Sequence, residues 1–360
     1  AYGFATLGDV VAFLRNPASY VPLPRPDISE ILAHAPLSGA DFSDIKGQKE
    51  AKRAMEIAAS GGHNVIMIGS PGAGKTMLAR ALPSIMPPLS VEECLECSNI
   101  HSIAGLLSSE HPLVTQRPFR APHHTCSQAS LIGGGHIPNP GEVSLSHNGI
   151  LFMDEFPEYQ KNVLEALRQP LEDGIVTISR VNAQLTYPCN FLLVASMNPC
   201  PCGYLNDPKH ECSCSDAAIS RYQRKVSGPL LDRFDLQLEV TPVEFNDLYD
   251  STSKEESSEI IRNRVTAARA LQLERFRRDG IYCNSNMSQA HIKKYCQLDE
   301  ASKRLLQRAF EKLGISARAN NRILKVARTI ADLDGDETIL PHHIAEAIQY
   351  RALDKSLWKS

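Results

Sequence analysis

A glycine-rich stretch between an apolar segment and a helical pattern limits the folds open to this sequence more than any other feature. Residues Gly69-Ser-Pro-Gly-Ala-Gly-Lys75-Thr76 fit the pattern G-x-x-x-x-G-K-T. The glycines let backbone N–H groups cradle phosphates, while Lys75 reaches the terminal phosphates and the Thr76 hydroxyl ligates Mg²⁺. The apolar segment Asn64–Gly69 precedes the motif, and the helical pattern Lys75–Leu82 follows it. The sequence therefore predicts a phosphate-binding loop, which we call the P-loop. Its expected nucleotide-binding residues are Gly69, Ser70, Pro71, Gly72, Ala73, Gly74, Lys75, Thr76 and Met77.

Two further apolar segments end in polar residues suited to the same site. Ile150–Met153 runs directly into Asp154 and Glu155, and Asn198 follows Phe191–Ala195. Ligands of open α/β sheets bind at the carboxyl ends of the strands. We expect Asp154 to hold the Mg²⁺ shell, Glu155 to polarise the attacking water, and Asn198 to bond the water or the γ-phosphate. A solvated acidic strand end is the alternative for the carboxylate pair, and the preceding P-loop disfavours it.

The order of the patterns predicts the fold class and the domains. Strands and helices alternate up to Val240, which indicates an α/β fold with a parallel sheet and helices on both faces. The expected strands are Gly149–Met153, Phe191–Ala195, Phe234–Val240 and a hairpin of Val176–Arg180 with Ala183–Tyr187; the expected helices are Leu7–Leu14, Asp44–Ser60 and Lys161–Leu171. Beyond Pro242 the patterns are helical: Ser257–Arg278, His291–Tyr295, Glu300–Leu313, Ala319–Leu333 and Pro341–Leu353. We predict a Pro-rich linker at 1–40, a nucleotide-binding domain at 41–242 and a small all-helical lid domain at 243–360.

Composition excludes several classes of protein. Apolar residues make up 42% and charged residues 22% of the chain, which is ordinary for a globular protein and not for a disordered one. No apolar run approaches the ~20 residues of a membrane helix, so we expect a cytoplasmic protein without a membrane partner. A net charge of -3 excludes a uniformly basic coat, although local basic faces remain compatible with it.

Four of the ten cysteines crowd into one short loop at 198–216, which we call the Cys loop. Cys200 and Cys202 form one C-x-C pair, and Cys212 and Cys214 form another. Four thiolates satisfy tetrahedral zinc and leave no open position, so the pattern predicts structural Zn²⁺. The C-x-C spacing is tighter than the usual C-x-x-C, which keeps free thiols as the alternative. His210 is an alternative ligand.

Arg233 stands in the stretch Leu-Leu-Asp-Arg-Phe, between Asp232 and Asp235. It is suited to be an arginine finger that stabilises the charge of a transferred phosphoryl group in a neighbouring subunit. A local ion pair with one of the two aspartates is the alternative, and the sequence alone favours that alternative.

These stretches resemble, in their order, the AAA+ ATPases, and more closely the magnesium-chelatase-like branch with the bacterial YifB/ComM group. The likeness extends from Asp41 to Leu353. The stretches that carry it, besides the P-loop and Asp154-Glu155, are Arg117-Pro-Phe-Arg120-x-Pro-His123-His124, Gly133-Gly-Gly-x-x-Pro-x-Pro-Gly-Glu142, Leu167-Arg-Gln-Pro-Leu-Glu172, Asn198-Pro-Cys-Pro-Cys-Gly203 and Ser316-Ala-Arg318.

The resemblance implies roles for further residues. Arg233 would be the finger that acts in trans, and Arg318 the sensor that contacts the γ-phosphate from the lid, with Arg322 as second candidate. Ile45, Gly47 and Gln48 would lie near the adenine. The assembly would be a homo-oligomeric ring, hexameric, with ATP sites between subunits. Relatives carry an N-terminal Lon-like domain, and the first residues of this chain look like its tail.

The implied function is that of a ring helicase that promotes branch migration of single-stranded or branched DNA in natural transformation. An insertion within His101–His147 and the predicted hairpin would project into the pore and grip the DNA backbone through charge. The candidate DNA contacts are Arg117, Arg120, His123, His124 and Arg180. For the residues from Arg117 to His124, a surface that packs subunits together is an equal alternative.

Two other functions share the same nucleotide site. The alternative is the ATPase motor subunit of a magnesium-chelatase-type complex, which would act on a partner enzyme and not on DNA; the Cys loop argues against it. A protein remodeller would need aromatic residues in its pore loops, and the 101–147 segment has only Phe119.

Overall fold

The structure is a computed structural model, and it describes residues 2–22, 27–33, 40–135, 138–180, 183–207, 209–243, 255–313 and 316–351. Within these ranges, every helix is too short or too polar to cross a lipid bilayer. The turn of the predicted hairpin at 181–182 and the segment 352–360 lie outside the described residues.

A parallel sheet forms the centre of the nucleotide-binding part, as the alternating pattern predicted. The strands are β1 (Val65–Ile68), β2 (Phe119–Arg120), β3 (Gly133–Gly134), β4 (Asn139–Pro140), β5 (Ile150–Met153), β6 (Ile175–Arg180), β7 (Ala183–Pro188), β8 (Leu192–Met197) and β9 (Leu236–Glu239). In the described part of the chain, the central sheet has five parallel strands in the order β2-β5-β8-β1-β9. β3 pairs with β4, and β6 with β7, in two antiparallel hairpins.

Helices cover the sheet and make up the C-terminal part. They are α1 (Leu7–Arg15), α2 (Ile28–Ala33), α3 (Lys49–Gly61), α4 (Lys75–Ala81), α5 (Val91–Ile103), α6 (Gln128–Ile132), α7 (Glu142–Leu145), α8 (Lys161–Ala166), α9 (Arg168–Asp173), α10 (Asp216–Gln223), α11 (Gly228–Leu231), α12 (Ser258–Arg275), α13 (Gln289–Tyr295), α14 (Glu300–Leu313), α15 (Ala317–Asp334) and α16 (Pro341–Gln349). The described residues therefore confirm an α/β core followed by helices.

Local chemistry explains where the predicted helix boundaries were wrong. The helix expected over Asp44–Ser60 begins only at Lys49, because Gly47 and Gln48 have left-handed φ angles of 61° and 55°. The helix expected over Lys161–Leu171 is divided in two. Pro170 has no N–H to donate to the carbonyl four residues earlier, which is the last residue of α8. The helix expected from Ala319 begins at Ala317, because the Ser316 side chain accepts the Ala319 N–H and caps it.

The two faces of the sheet carry separate hydrophobic clusters. Successive strand residues point to opposite faces. Val65 and Met67 accordingly join the cluster under α3 and α4, whereas Ile66 and Ile68 join the cluster under α8 and the β6–β7 hairpin. The strands are buried on both sides, which explains why their sequences are continuous apolar runs without alternation.

The C-terminal helices pack on the same core as the sheet. α12 and α15 both contact α3, and Met55 of α3 belongs to one buried cluster with Val265 and Ile330. The boundary between domains at 242/243 stays a prediction, since residues 244–254 lie outside the described part of the chain.

A buried polar network joins the sheet to α15. His63 is fully buried, and its ring nitrogens lie 3.1 Å from the Asp235 carboxylate and 2.7 Å from the Thr329 hydroxyl. Arg322 donates to the Phe234 carbonyl at 3.0 Å and lies 3.5 Å from Asp235. Burial alone would raise the pKa of Asp235, but His63 and Arg322 outweigh it and lower that pKa to about 2.

We predict that Asp235→Asn lowers the free energy of unfolding at pH 7 by about 2 kcal/mol, because the folded state stabilises the ionised carboxylate. The folded pKa of about 2 lies below the ordinary 3.8. The contribution is therefore complete above about pH 4 and disappears as the pH falls towards 2. Urea denaturation at several pH values measures it, with Glu274→Gln at an exposed site as the control. A deficit that stays constant from pH 7 to pH 2 would contradict this assignment.

Candidate nucleotide-binding site and cysteine cluster

Three adjacent strands bring the predicted phosphate-site residues together. β8 lies between β5 and β1 in the sheet, and all three run parallel. The P-loop follows β1, Asp154 follows β5, and Asn198 follows β8. Because these carboxyl ends lie side by side, residues far apart in sequence meet at one edge. We call it the carboxyl edge.

Lys75 is held inside the P-loop. Its Nζ donates to the Gly69 carbonyl at 2.7 Å, to the Ser70 carbonyl at 3.0 Å and to Oδ1 of Asn198 at 3.3 Å. Burial lowers the pKa of Lys75, and the nearby Asp154 charge opposes that shift. The ammonium therefore already points into the loop, where a bound phosphate would replace backbone carbonyls as its partner.

The predicted Mg²⁺ ligands are neighbours. The Thr76 hydroxyl donates to Oδ2 of Asp154 at 3.0 Å, and Oδ1 accepts hydrogen bonds from the Ser196 hydroxyl and the Glu155 N–H. A hydroxyl and a carboxylate are the hard oxygen ligands that Mg²⁺ prefers, so the pair fits this ion. The sequence analysis missed Ser196; a polar residue inside the apolar strand β8 was the available indication.

The backbone of the P-loop has the geometry expected of a phosphate cradle. Gly72 and Gly74 adopt left-handed φ angles of 78° and 90°, which L-residues with side chains rarely adopt. The side-chain amide of Gln48 donates to the Ala73 carbonyl at 3.2 Å. The segment predicted to lie near the adenine therefore does contact the P-loop.

The other members of the nucleotide-binding set lie around this contact. Ile45 is buried, and the Gly47 N–H donates to the Glu255 carboxylate at 3.0 Å. Met77 is exposed on α4, two residues beyond the P-loop lysine. Their roles towards a nucleotide stay predictions.

Glu155 is paired with one of the predicted DNA contacts. Nδ1 of His124 lies 3.0 Å from its carboxylate. Glu155 has a left-handed φ of 51°, a conformation that costs energy in non-glycine residues and clusters at functional sites. The Tyr159 hydroxyl donates to the Pro122 carbonyl at 2.5 Å and thereby fixes the loop that carries His124. The proposed water-polarising carboxylate is thus held by the segment that follows β2.

The structure gives Arg117 and Arg120 internal partners. Arg117 is 12% exposed, and its five N–H donors reach the Glu93 carboxylate and three backbone carbonyls, those of Pro87, Pro88 and Asn148. Arg120 makes a two-bond pair with Glu142 at 2.6 and 2.8 Å. These contacts hold the segment within its own chain, and both a DNA contact and a surface that packs subunits together stay predictions for it.

Two of the DNA candidates remain, His123 and Arg180. His123 bonds the Thr125 hydroxyl at 2.9 Å, and its ring packs against the His124 ring. Arg180 ends β6 at the tip of the hairpin, and its side chain lies outside the described part. The hairpin rests on the insertion, since the Tyr187 hydroxyl donates to the Pro138 carbonyl at 3.0 Å. The two predicted pore elements therefore pack against each other.

Arg233 lies at the opposite edge of the sheet, which we call the amino edge. Its carbonyl accepts the side-chain amide of Asn64, and Asn64 immediately precedes β1. The four residues of β1, roughly 13 Å of strand, separate that point from the P-loop. Its guanidinium pairs with Glu172 of α9, so the local ion pair forms, but with neither flanking aspartate. Arg233 cannot reach the phosphates of its own P-loop.

Arg318 also lies at the amino edge. It is 73% exposed, and its guanidinium is 4.0 Å from the Asp232 carboxylate. α15 packs beside the start of β9, where Arg322 is anchored, so Arg318 lies away from the P-loop of its own chain. Arg322 is 14% exposed and donates to the Phe234 carbonyl, and the sensor roles of both arginines stay predictions.

The four cysteines of the Cys loop form a compact cluster. Sγ of Cys200 lies 3.4 Å from that of Cys202 and 3.7 Å from that of Cys212, and the latter two are 3.6 Å apart. The Cys214 sulfur lies within 4.8 Å of the others. Tetrahedral zinc with bonds of ~2.3 Å needs sulfurs about 3.8 Å apart, so the cluster fits this ion.

The sulfurs of the cluster differ in their acidity. The backbone N–H of Tyr204 is the main cause that lowers the pKa of Cys202 to about 6, whereas at Cys212 and Cys214 the neighbouring sulfurs outweigh a backbone hydrogen bond and raise the pKa. The alternative ligand is not supported: Nδ1 of His210 lies 3.2 Å from Asp207, and its ring packs against Tyr204. Four sulfurs alone make up the described ligand group.

Comparisons with known proteins identify relatives of this chain. Residues 41–248 match the family model "Magnesium chelatase, subunit ChlI", and residues 255–351 match "Magnesium chelatase, subunit ChlI C-terminal". "Competence protein ComM" of Haemophilus influenzae is 44% identical over 361 residues, which cover 99% of this chain and 69% of that protein. "Uncharacterized protein YifB" of Salmonella typhimurium is 44% identical over 98% of this chain and 67% of its own. The magnesium-chelatase 38 kDa subunit of Acidiphilium rubrum is 25% identical over 84% of this chain and 87% of its own.

We predict that Arg117→Ala lowers the free energy of unfolding by about 3 kcal/mol, because Glu93 and three carbonyls would lose a buried charged partner. Arg117→Lys should rescue little, since an ammonium cannot replace the five fixed donors. Urea denaturation measures both, with the exposed Arg277→Ala as the control. Unchanged stability together with weaker DNA binding would instead support a DNA contact at this position.

Proposed function

This chain belongs to the magnesium-chelatase-like AAA+ family that contains ComM and YifB, and from that premise we propose that it is an ATP-hydrolysing ring motor that acts on DNA. Members of this family are generally ATPases. The observation that carries the proposal is the convergence of Lys75, Thr76, Asp154 and Asn198 at the carboxyl edge. We expect the protein to act in the cytoplasm.

The residues of this edge suit phosphoryl transfer, which needs positioning and charge neutralisation above all. Mg²⁺ neutralises phosphate charge when bound, and Thr76 and Asp154 would hold it. Lys75 would bind the terminal phosphate while Asn198 orients it. Glu155 would polarise the attacking water once its carboxylate leaves His124.

The position of the two arginines supports a ring with ATP sites between subunits. Arg233 and Arg318 lie near each other at the amino edge, away from the P-loop of the same chain. An arginine that stabilises transition-state charge must touch the γ-phosphate. Both would therefore be supplied to the neighbouring subunit, and we expect a hexamer.

The relationship to ComM supports DNA as the substrate, in branch migration during natural transformation. The β6–β7 hairpin and the insertion from β2 to α7 would line the pore. A pore that moves along nucleic acid independently of sequence contacts phosphates through positive charge. Arg180 at the hairpin tip is the contact that we propose first, because Arg117 and Arg120 have internal partners.

We further propose that the cysteine cluster binds one structural Zn²⁺ ion. Four sulfurs at tetrahedral separations support it, and with four protein ligands the ion would have no open position for catalysis.

The alternative function is that of a motor subunit in a magnesium-chelatase-type or protein-remodelling complex. The more distant relationship to the 38 kDa chelatase subunit supports this alternative, and the experiment below distinguishes it from a DNA motor.

The ATPase rate with and without single-stranded DNA tests the DNA motor. We predict stimulation of about tenfold at 50 mM salt, which falls steeply by 200 mM because DNA binding releases counterions. Lys75→Ala, which cannot hold the phosphate, serves as the background control. If assembled rings hydrolyse ATP equally with and without DNA, the chelatase-type or remodelling function replaces the DNA motor.

We predict that Glu155→Gln binds ATP with unchanged affinity and hydrolyses it about 10²-fold more slowly or worse, because an amide cannot polarise the water. Single-turnover hydrolysis and binding of a fluorescent ATP analogue separate the two steps. Glu158→Gln is the matched control, since Glu158 is nearby and pairs with Lys225 on the surface. Normal turnover of Glu155→Gln would exclude this role.

A further inference from the structure

The Cys loop packs directly on the P-loop. Gly203 directly follows Cys202, and a Cβ atom placed there would lie only 2.6 Å from Cδ of Pro71 and 2.8 Å from its Cγ. Gly203 also has a left-handed φ of 88°. The turn that carries two of the four sulfurs thus fits the P-loop so closely that a methyl group would displace one or the other.

A second contact joins the two loops four residues later. The Asp207 carboxylate accepts the N–H groups of Lys209 at 2.9 Å and His210 at 3.0 Å, and the Ser70 side chain is near enough to help lower its pKa. Its side chain is 4% exposed. One carboxylate therefore closes a turn of the Cys loop and reaches the second residue of the P-loop.

A third link runs along the chain itself. Asn198, whose Oδ1 accepts from Lys75, lies two residues before Cys200. Cys200 is fully buried, and the Pro199 carbonyl between the two accepts the side-chain amide of Gln223. Cys200 is thus coupled through a short, anchored segment to the phosphate-site lysine.

The Cys loop has little besides its sulfurs to hold this shape. Its described residues form turns without a helix or strand up to Ser215, and most of its side chains are exposed or half-buried. A segment that cannot bury an apolar core takes its fold from a bound metal, and the metal's binding free energy becomes folding free energy. Whatever fixes the four sulfurs therefore also fixes Gly203 and Asp207 against Pro71 and Ser70.

We propose that the metal state of the cysteine cluster sets the affinity of the P-loop for ATP. Zn²⁺ on the four thiolates holds the Cys loop against the P-loop in its phosphate-binding shape, and ATP in turn strengthens zinc binding, because coupling between two sites is reciprocal. The inference rests on the proposed nucleotide site and is independent of DNA.

Equilibrium binding of a fluorescent ATP analogue to the full chain tests this, with zinc-loaded protein compared with protein depleted by a zinc-selective chelator. We expect zinc removal to weaken ATP binding about tenfold and added Zn²⁺ to restore it. ATP should slow zinc transfer to a chromogenic chelator in the same direction. Circular dichroism verifies that the depleted protein stays folded.

Two outcomes overturn the inference: a chain that binds no zinc, or equal ATP affinity in the zinc-loaded and zinc-free folded protein. Failure of the nucleotide site is distinct, because then even the zinc-loaded protein binds no ATP. That outcome would defeat the proposed ATPase and this coupling together.

Matched variants separate the contact from general damage. Gly203→Ala should keep zinc but lose most of the zinc dependence of ATP binding. Gly280→Ala, at a similar φ of 67° with nothing within 4 Å, should behave as wild type. Cys212→Ser should lose zinc and ATP affinity together, whereas Cys283→Ser, which keeps polar partners in Asn286 and Ser285, should lose neither. Full coupling in Gly203→Ala, or unchanged ATP affinity in zinc-free Cys212→Ser, would contradict the proposal.

Discussion

The place of β8 between β1 and β5 is the constraint on which the rest of the structure depends. It sets Asn198 between the P-loop and Asp154, although the three are separated by more than a hundred residues of chain from first to last. This strand order alone places Lys75 within hydrogen-bond distance of Asn198, and Thr76 within hydrogen-bond distance of Asp154. Strands buried on both faces hold this edge rigid, and a rigid edge is what positioned phosphoryl-transfer groups require.

The sequence predicts this edge well because its chemistry is local. A P-loop needs glycines, Lys75 and Thr76 in one short run, and an acidic pair after an apolar strand is equally compact. The sequence predicts the partners of side chains poorly, since those depend on distant packing. Arg117 looks like a phosphate ligand in isolation, yet Glu93 and backbone carbonyls surround it. His124 belongs to the same motif and instead meets Glu155, on a strand end thirty residues away.

The amino edge, in contrast, depends on contacts between residues that are far apart in the sequence. One group of polar side chains there is buried and hydrogen-bonded together: His63 links Asp235 to Thr329, and Arg322 closes the network. This network fixes the start of α15 beside β9, and it leaves Arg318 exposed next to Arg233. No pattern within α15 reveals that position, because periodicity shows which side of a helix is buried but not against what. A chain with its phosphate loop at one edge and Arg233 and Arg318 at the other is asymmetric in the way that a head-to-tail ring requires.

The Cys loop lies on the segment of chain that connects the two edges of the sheet. Between Asn198 at the carboxyl edge and Arg233 at the amino edge, the polypeptide returns along the length of the strands, and the cysteine cluster occupies the first part of that path. A flexible connection would let the two edges move independently. A loop held by Zn²⁺ on the four sulfurs, as proposed above, and seated on Pro71 would instead tie the P-loop to the segment that carries Arg233. Under that proposal, the same stretch of chain would link one ATP site to the surface that completes the next.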